Sequence, residues 1–249
     1  MNTLDEQVRI AALDAPVRSA VQAVAALQRI AVRDVPAVLG ARGADVEDAV
    51  RAGLLVLEDG WLRPADPASG AAALGLLPQE ERRALHARLA RTSVSDLDAV
   101  RQRDLATVDG ADEQLAAALE RAAAAAEQAG RAGTALELWT RAAARTAPDT
   151  EARNRRELRF AEQAHREGRF DAAASALEGL AWPALSAEQA ERAIDLLTTT
   201  AYSSAGLLAA RLRVERIREG LPAGHPHRDA LEVYPVSYTH LTLPTNREV

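Results

Sequence analysis

The chain has 249 residues, 30 of them basic and 36 acidic, for a formal charge of −6, with 48% hydrophobic but only 3% aromatic residues. Alanine fills 57 positions, every basic residue is arginine, and there is no cysteine, which excludes disulfides, Cys-ligated zinc, iron–sulfur clusters and thiol nucleophiles. No apolar run approaches the roughly 18 residues of a membrane span, no charged-then-apolar start resembles a signal peptide, and a net-negative chain is a poor free-standing nucleic-acid binder. Alanine and arginine rank high as helix formers, so the composition predicts a cytoplasmic, mostly helical protein.

Helix signals recur from the start. Leu13 to Ile30 sets Val17, Val21, Val24 and Leu27 at helical spacing, with Pro16 in a first-turn position. A short helix opens at Pro36 and ends near Gly43. A third places Val46, Ala49 and Val50 on one face and stops at Gly53. The period then changes: LLVLEDGWLR reads as two strands around Asp59-Gly60, a pair suited to a tight hairpin because both turn positions need φ > 0. Three helices followed by a hairpin is the order of a winged helix. A further helix begins at Pro78, carries Glu80 and Glu81 where the helix dipole favours acids, and buries Leu85 and Leu89.

From Ser93 the pattern is helix after helix. Asp109, with Asp112 three residues later, looks like an N-terminal cap; the helix after it aligns Leu115, Leu119, Ala122, Ala126 and Ala129, and Gly130 closes it. Two segments then repeat, GRAGTALELWTRA from Gly130 and GRFDAAASALEGL from Gly168. Ala135, Trp139 and Ala142 line a face of the first; Ala173, Leu177 and Leu180 line the second. The small residue admits close helix approach and the large one fills the groove beside it, a pattern of helix-hairpin repeats. Ser186 and Gln189 form a capping box ahead of a stripe of Ala187, Ala190, Ile194, Leu197 and Ala201. Gly206 falls at the same interval after Gly168, but Arg211 and Glu215 stand where a small and a large apolar residue belong, so a third repeat is either shifted by one residue or degenerate.

The expected fold class is all-α with one small β-hairpin: a winged-helix domain over 1–92, a tetratricopeptide-like helical-hairpin array over 93–220, and a loop and non-native tail over 221–249. No alanine follows Ala230 to the end of the chain, a sharp shift in composition. Val236 to Thr245 (VSYTHLTLPT) resembles the read-through translation of a transposase sequencing adapter, so native sequence is expected to end near Tyr234 or Pro235.

The segments ARGADVEDAVRAGLLVLEDGWLRPADP and LPQEERRALHARLA resemble the winged-helix region of large actinobacterial LuxR-type, MalT-like transcriptional regulators. Ala52 to Leu55 before the hairpin, Pro64 and Pro67 after it, and Glu81 to Ala90 carry the likeness; the helices after Asp109 are similar to the family's helical array. The resemblance runs over roughly residues 10 to 220. Such regulators join a STAND-class ATPase to a winged helix, a tetratricopeptide-like array and a C-terminal helix-turn-helix. The chain has no GxxxxGK[ST] loop and no lysine to complete one, nor a basic terminal helix-turn-helix. The resemblance therefore implies an internal fragment, with Asn2 to Leu13 as the linker leaving the ATPase. Its role would be a regulatory, signal-sensing and interaction region coupling an ATPase to a DNA-binding domain, both outside the chain. It implies no enzyme activity and no cofactor in this chain, ATP belonging to the missing ATPase. The implied partners are the ATPase domain or another protein, with a small-molecule inducer or self-association through the array, and no direct nucleic acid or membrane contact. A free-standing tetratricopeptide-like interaction scaffold is the alternative. An enzyme with its site in the array groove is the weakest reading, because nothing pairs a nucleophile with a base.

Individual residues add no chemistry. His225 and His227 suggest a metal pair, but lacking a further nearby His or Cys they read as exposed loop residues. His86 reads as a packed or partly exposed structural residue, His165 lies on a charged helix face, and His240 falls in the adapter-like tail. Arg153, Arg155, Arg156, Arg159 and Arg211, Arg213, Arg216, Arg218 are interleaved with acids and read as salt-bridged helix surface rather than a phosphate patch. Trp139 and Phe170 read as core; Trp61 flanks the hairpin turn, where an exposed indole would contact a partner domain. GARG (Gly40 to Gly43) is too short for a phosphate loop. No residue is assigned a catalytic, cofactor-binding, metal-binding or nucleic-acid-binding role.

Overall fold

The computed structural model describes residues 3–40 and 43–231, except for the side chains at 201, 204, 205, 207 and 209. It divides into two compact units, Met1–Asp109 and Gly110–Val249.

The first unit contains α1 (Thr3–Ala11), α2 (Ala15–Leu27), β1 (Ile30–Ala31), α3 (Val35–Leu39), α4 (Gly43–Arg51), β2 (Leu55–Glu58), β3 (Trp61–Pro64), α5 (Pro67–Gly75), α6 (Gln79–Thr92) and α7 (Asp96–Ala106). The strands form an antiparallel sheet in the order β1-β3-β2, with Leu62 opposite both Ile30 and Leu57. Helix, strand, two helices and a hairpin, with the last strand in the middle, is winged-helix topology. The hairpin turns as its residues dictate: Asp59 and Gly60 take φ of 51° and 78°, the left-handed pair a two-residue turn needs. Leu54, Leu55 and Leu62, each at most 2% exposed, then face Val21, Val24 and Leu89 in one core.

Three elements escape the periodicity. Helix α2 stops at Leu27 because Gln28 turns to φ 66°, which releases Ile30 and Ala31 into the sheet. Residues 3–11, read as part of a linker, form a helix that buries Ile10. The proline-containing stretch after the hairpin becomes α5, where Pro67 sits in the first turn and the Asp66 carboxylate accepts from the Ser69 backbone N–H at 2.9 Å. The Ser69 N–H, then its hydroxyl, hold this carboxyl below its ordinary 3.8. The cap therefore stabilises fully above that value and fades as acid protonates it. Asp66→Ala is expected to cost about 1 kcal/mol in urea denaturation near neutrality, and less below pH 3.

Helix α7 belongs with the first unit rather than with the array, which moves the division from residue 92 to 109. Its Gln102 is 4% exposed. The Gln102 Oε1 accepts from His86 Nδ1 at 2.7 Å, and its Nε2 donates to the Ala26 carbonyl at 2.9 Å. One amide thus ties α7 to α6 and α2.

The second unit contains α8 (Glu113–Gln128), α9 (Ala132–Ala144), α10 (Glu151–Arg166), α11 (Phe170–Glu178) and α12 (Ala187–Gly220). Helix α8 is capped by Asp112, not Asp109: its carboxylate accepts from the Leu115 N–H at 3.0 Å. The α8 stripe also differs in its later half, where Ala123 is buried while Ala122 is half-buried and Ala129 exposed. Gly130 and Gly168 take φ of 68° and 70°. Past them, Arg131 N–H reaches Ala126 O at 2.9 Å and Arg169 N–H reaches Ala164 O at 2.8 Å, so α8–α9 and α10–α11 are closed by the same left-handed glycine turn. Ala135, Trp139, Ala142, Ala173, Leu177 and Leu180 are all at most 5% exposed, the face the repeated spacing predicts.

The Ser186–Gln189 capping box opens α12. Ala190, Ile194 and Leu197 are buried as expected and Ala187 is exposed; the side chain of Ala201 lies outside the described residues. Gly206 interrupts the helix at φ 81° and ψ 178°. Without that break, 34 helical residues would span about 50 Å. Yet His227, just beyond the helix end, donates from Nε2 to the Leu185 carbonyl at 3.1 Å, and the short connection from Gly220 reaches at most about 25 Å. The halves 187–205 and 207–220 therefore fold back on each other as a third hairpin. Its buried face is Ala210 (3% exposed), Val214 (2%) and Ile217 (8%). The repeat is thus shifted by one residue rather than degenerate.

Candidate functional site

In a helix-turn-helix the second helix enters the DNA major groove; here the corresponding element is α4. It carries Asp45, Glu47 and Asp48 against Arg51 alone. Glu47 and Asp48 face solvent, and Arg51 is ion-paired to Asp48. An outward face of this sign repels phosphate.

The hairpin offers a different surface. Trp61 is 41% exposed, and the Arg29 guanidinium lies 4.8 Å from its ring centroid, within cation–π range. Arg63 and Glu58 pair across the hairpin at 2.5 Å, while Leu57 and Val32 remain exposed. Beside Trp61 lies a hollow of about 220 Å³, with Ile30, Val38, Val94, Arg33, Asp34 and Asp98 among its lining. A half-exposed indole held by an arginine beside a small hollow has the composition of a binding hot spot.

The second unit uses its polar groups to hold helices together. Trp139 is core, as expected, and its Nε1 donates to Glu127 at 2.7 Å. Phe170 is half-buried and packs edge-on against His165 at 5.3 Å. His165 does more than sit on a charged face, because its Nδ1 meets the fully buried Thr200 hydroxyl at 2.8 Å. His227 is not an exposed loop residue either: it is 8% exposed and pinned to Leu185, with its ring 4.8 Å from that of His225. His86 is buried on Gln102. His240 and the adapter-like stretch 236–245 lie outside the described residues, as do Ala41 and Arg42 of the GARG stretch. Gly40 closes α3 at φ 61°.

Of the arginine groups, Arg153, Arg155 and Arg159 pair with Glu157, Glu120 and Glu162 at 2.8, 3.6 and 3.0 Å. Arg211 pairs with Glu215 at 2.9 Å, and Arg213 and Arg216 share Glu178. Arg156 departs from the surface reading. Its side chain is 1% exposed and holds Glu113 at 2.6 Å and Glu120 at 2.9 Å, with Nη1 donating to Thr146 Oγ1 at 2.5 Å. The two carboxylates belong to another helix, α8, and the hydroxyl to the turn after α9, so no local pattern marks Arg156 among its neighbours.

Among the described residues no three His, Asp or Glu side chains are grouped to hold a metal ion, and no helix is long and apolar enough to cross a membrane. No protein-family model, curated protein or solved structure matches the chain.

Proposed function

We propose that this chain is a regulatory coupling region of the kind found in the LuxR-type regulators it resembles. Its winged helix docks on an ATPase domain. Its helical-hairpin array offers a curved face to an inducer, a partner protein or a second copy. The observation that carries the reading is the acidic outward face of α4, which suits the winged helix to a protein surface and not to DNA phosphates. In this reading the chain performs no chemistry of its own. Nucleotide state in the ATPase would reach the array through the docked winged helix, a coupling between domains rather than a reaction on a substrate. The three successive hairpins favour a second reading, a free-standing tetratricopeptide-like scaffold, since stacked hairpins alone suffice to bind a peptide. The genomic DNA upstream of Met1 separates the two. An open frame continuing into a GxxxxGK[ST]-bearing ATPase is expected; a stop codon and ribosome-binding site immediately before Met1 would leave the scaffold.

A further inference from the structure

A groove of about 810 Å³ runs between α2 and α6 in the first unit. Its apolar wall comes from Leu76, Leu77 and Leu85, and its rim from Arg18, Arg88 and Arg91, with Glu81 also on the lining. Leu85 is buried in the core behind the groove and Leu76 and Leu77 are partly covered by it, so a narrow leucine strip runs through a lining that is otherwise largely polar and cationic. Arg18 is held in place: its Nη1 donates to the Ala11 and Leu13 carbonyls at 3.0 and 3.2 Å, capping the end of α1. The Arg91 guanidinium donates to the Ala87 carbonyl of its own helix at 3.1 Å. None of the three arginines pairs with a carboxylate among the described residues. Three arginines without a carboxylate partner and a single glutamate, Glu81, thus line one concavity in a chain whose net charge is −6.

Helix α1 borders the groove through Ala11. Leu4 and Val8 are 65% and 69% exposed, and Ala11, which lines the groove, follows at the next helical step. Leu4, Val8 and Ala11 follow one another at intervals of four and three on one side of α1.

We propose that this groove binds an amphipathic helix of a partner protein whose apolar stripe is flanked by aspartate or glutamate. Helix-in-groove docking places i, i+3/i+4 and i+7 anchors against an apolar floor, and carboxylates beside those anchors would meet Arg18, Arg88 and Arg91 at the rim. The leucine strip separates this occupant from nucleic acid, which would satisfy the arginines but leave Leu76 and Leu77 uncovered. The proposal rests on the first unit being protein-facing, and the upstream DNA tests the coupling reading independently of it.

The test is selection from a phage-displayed library of random helix-length peptides against the full chain, with binding of enriched peptides measured on the wild type and on Arg88→Glu/Arg91→Glu. Circular dichroism and a thermal melt confirm that the variant is folded. Enriched peptides are expected to carry apolar residues at helical spacing with interposed Asp or Glu, and to bind the variant at least tenfold more weakly. No enrichment, enrichment without that pattern, or equal binding to the variant would overturn the proposal. So would tight binding of a random-sequence DNA duplex, or a homodimer in sedimentation, that the same two substitutions abolish; those results assign the groove to nucleic acid or to self-association.

Discussion

Arg156→Met is expected to lower the stability of the second unit by about 3 kcal/mol at neutral pH, at the lower end of the cost of removing one partner from a buried ion pair. The figure is set by what the substitution strands. Methionine preserves much of the side-chain length, so little cavity is made. Thr146, 3% exposed, loses a hydrogen-bond partner, and Glu120, 27% exposed, loses its closest cation. Glu113 is 62% exposed and returns to water at small cost, which keeps the effect from being larger. The measurement needs one substitution more: of the three tryptophans, Trp61 lies in the first unit and Trp139 and Trp182 in the second. In a Trp61→Phe background, urea unfolding followed by fluorescence reports the second unit alone. A loss under about 1 kcal/mol, the range of exposed pairs, would mean that Arg156 is not a clamp.

Acid provides an independent check. The Arg156 guanidinium hydrogen-bonded to Glu113 is the main cause holding that carboxyl below its ordinary 4.5. A depressed carboxylate stabilises the fold fully above its unfolded value, and that contribution disappears as pH falls through the lower folded value. The wild type therefore loses part of its advantage over Arg156→Met on acidification below about pH 4.5, where Glu113 protonates first in the unfolded chain. A stability gap that stays constant between pH 6 and pH 3 would remove Glu113 from the network.

What could be read in the sequence was the chemistry that is complete within a few residues. Asp59-Gly60 forms its turn whatever surrounds it, and Gly130 and Gly168 end their helices because left-handed backbone is open to glycine. Ser186 and Gln189 cap each other across one turn. The features that stayed hidden depend on partners far along the chain. Strand β1 is only Ile30 and Ala31, and it exists because β3, beyond two intervening helices and β2, offers it a ladder. Arg156 looks like Arg153 and Arg155 until α8 is folded against α10. His227 looks like a loop histidine until the third hairpin brings Leu185 beside it. The acidic face of α4 was present in the letters, but only the topology shows that this helix takes the place of a DNA reader.

The shift in the third repeat has a local cause, and it sets up the second large prediction. In the first two hairpins one residue separates the turn glycine from the next helix: α9 begins at Ala132 after Gly130, and α11 at Phe170 after Gly168. After Gly206 the helix resumes at once. The turn is one residue shorter, so the buried face moves one residue toward the N-terminus, from 211 and 215 to Ala210 and Val214. Val214 is 2% exposed and belongs to the cluster containing Leu177, Ile194 and Leu197, whereas Arg211 and Glu215 form a pair 65% and 38% exposed. Val214→Asp would bury an unpaired carboxylate among aliphatic side chains and is expected to cost at least about 3 kcal/mol, enough to unfold the third hairpin or to remove the cooperative transition of the second unit. The neighbouring Arg211→Ala/Glu215→Ala double variant deletes an exposed ion pair and is expected to change stability by no more than about 0.5 kcal/mol. The pair of measurements is decisive because an unshifted repeat predicts the opposite order: 215 would then point into the core and 214 would tolerate aspartate on the solvent side.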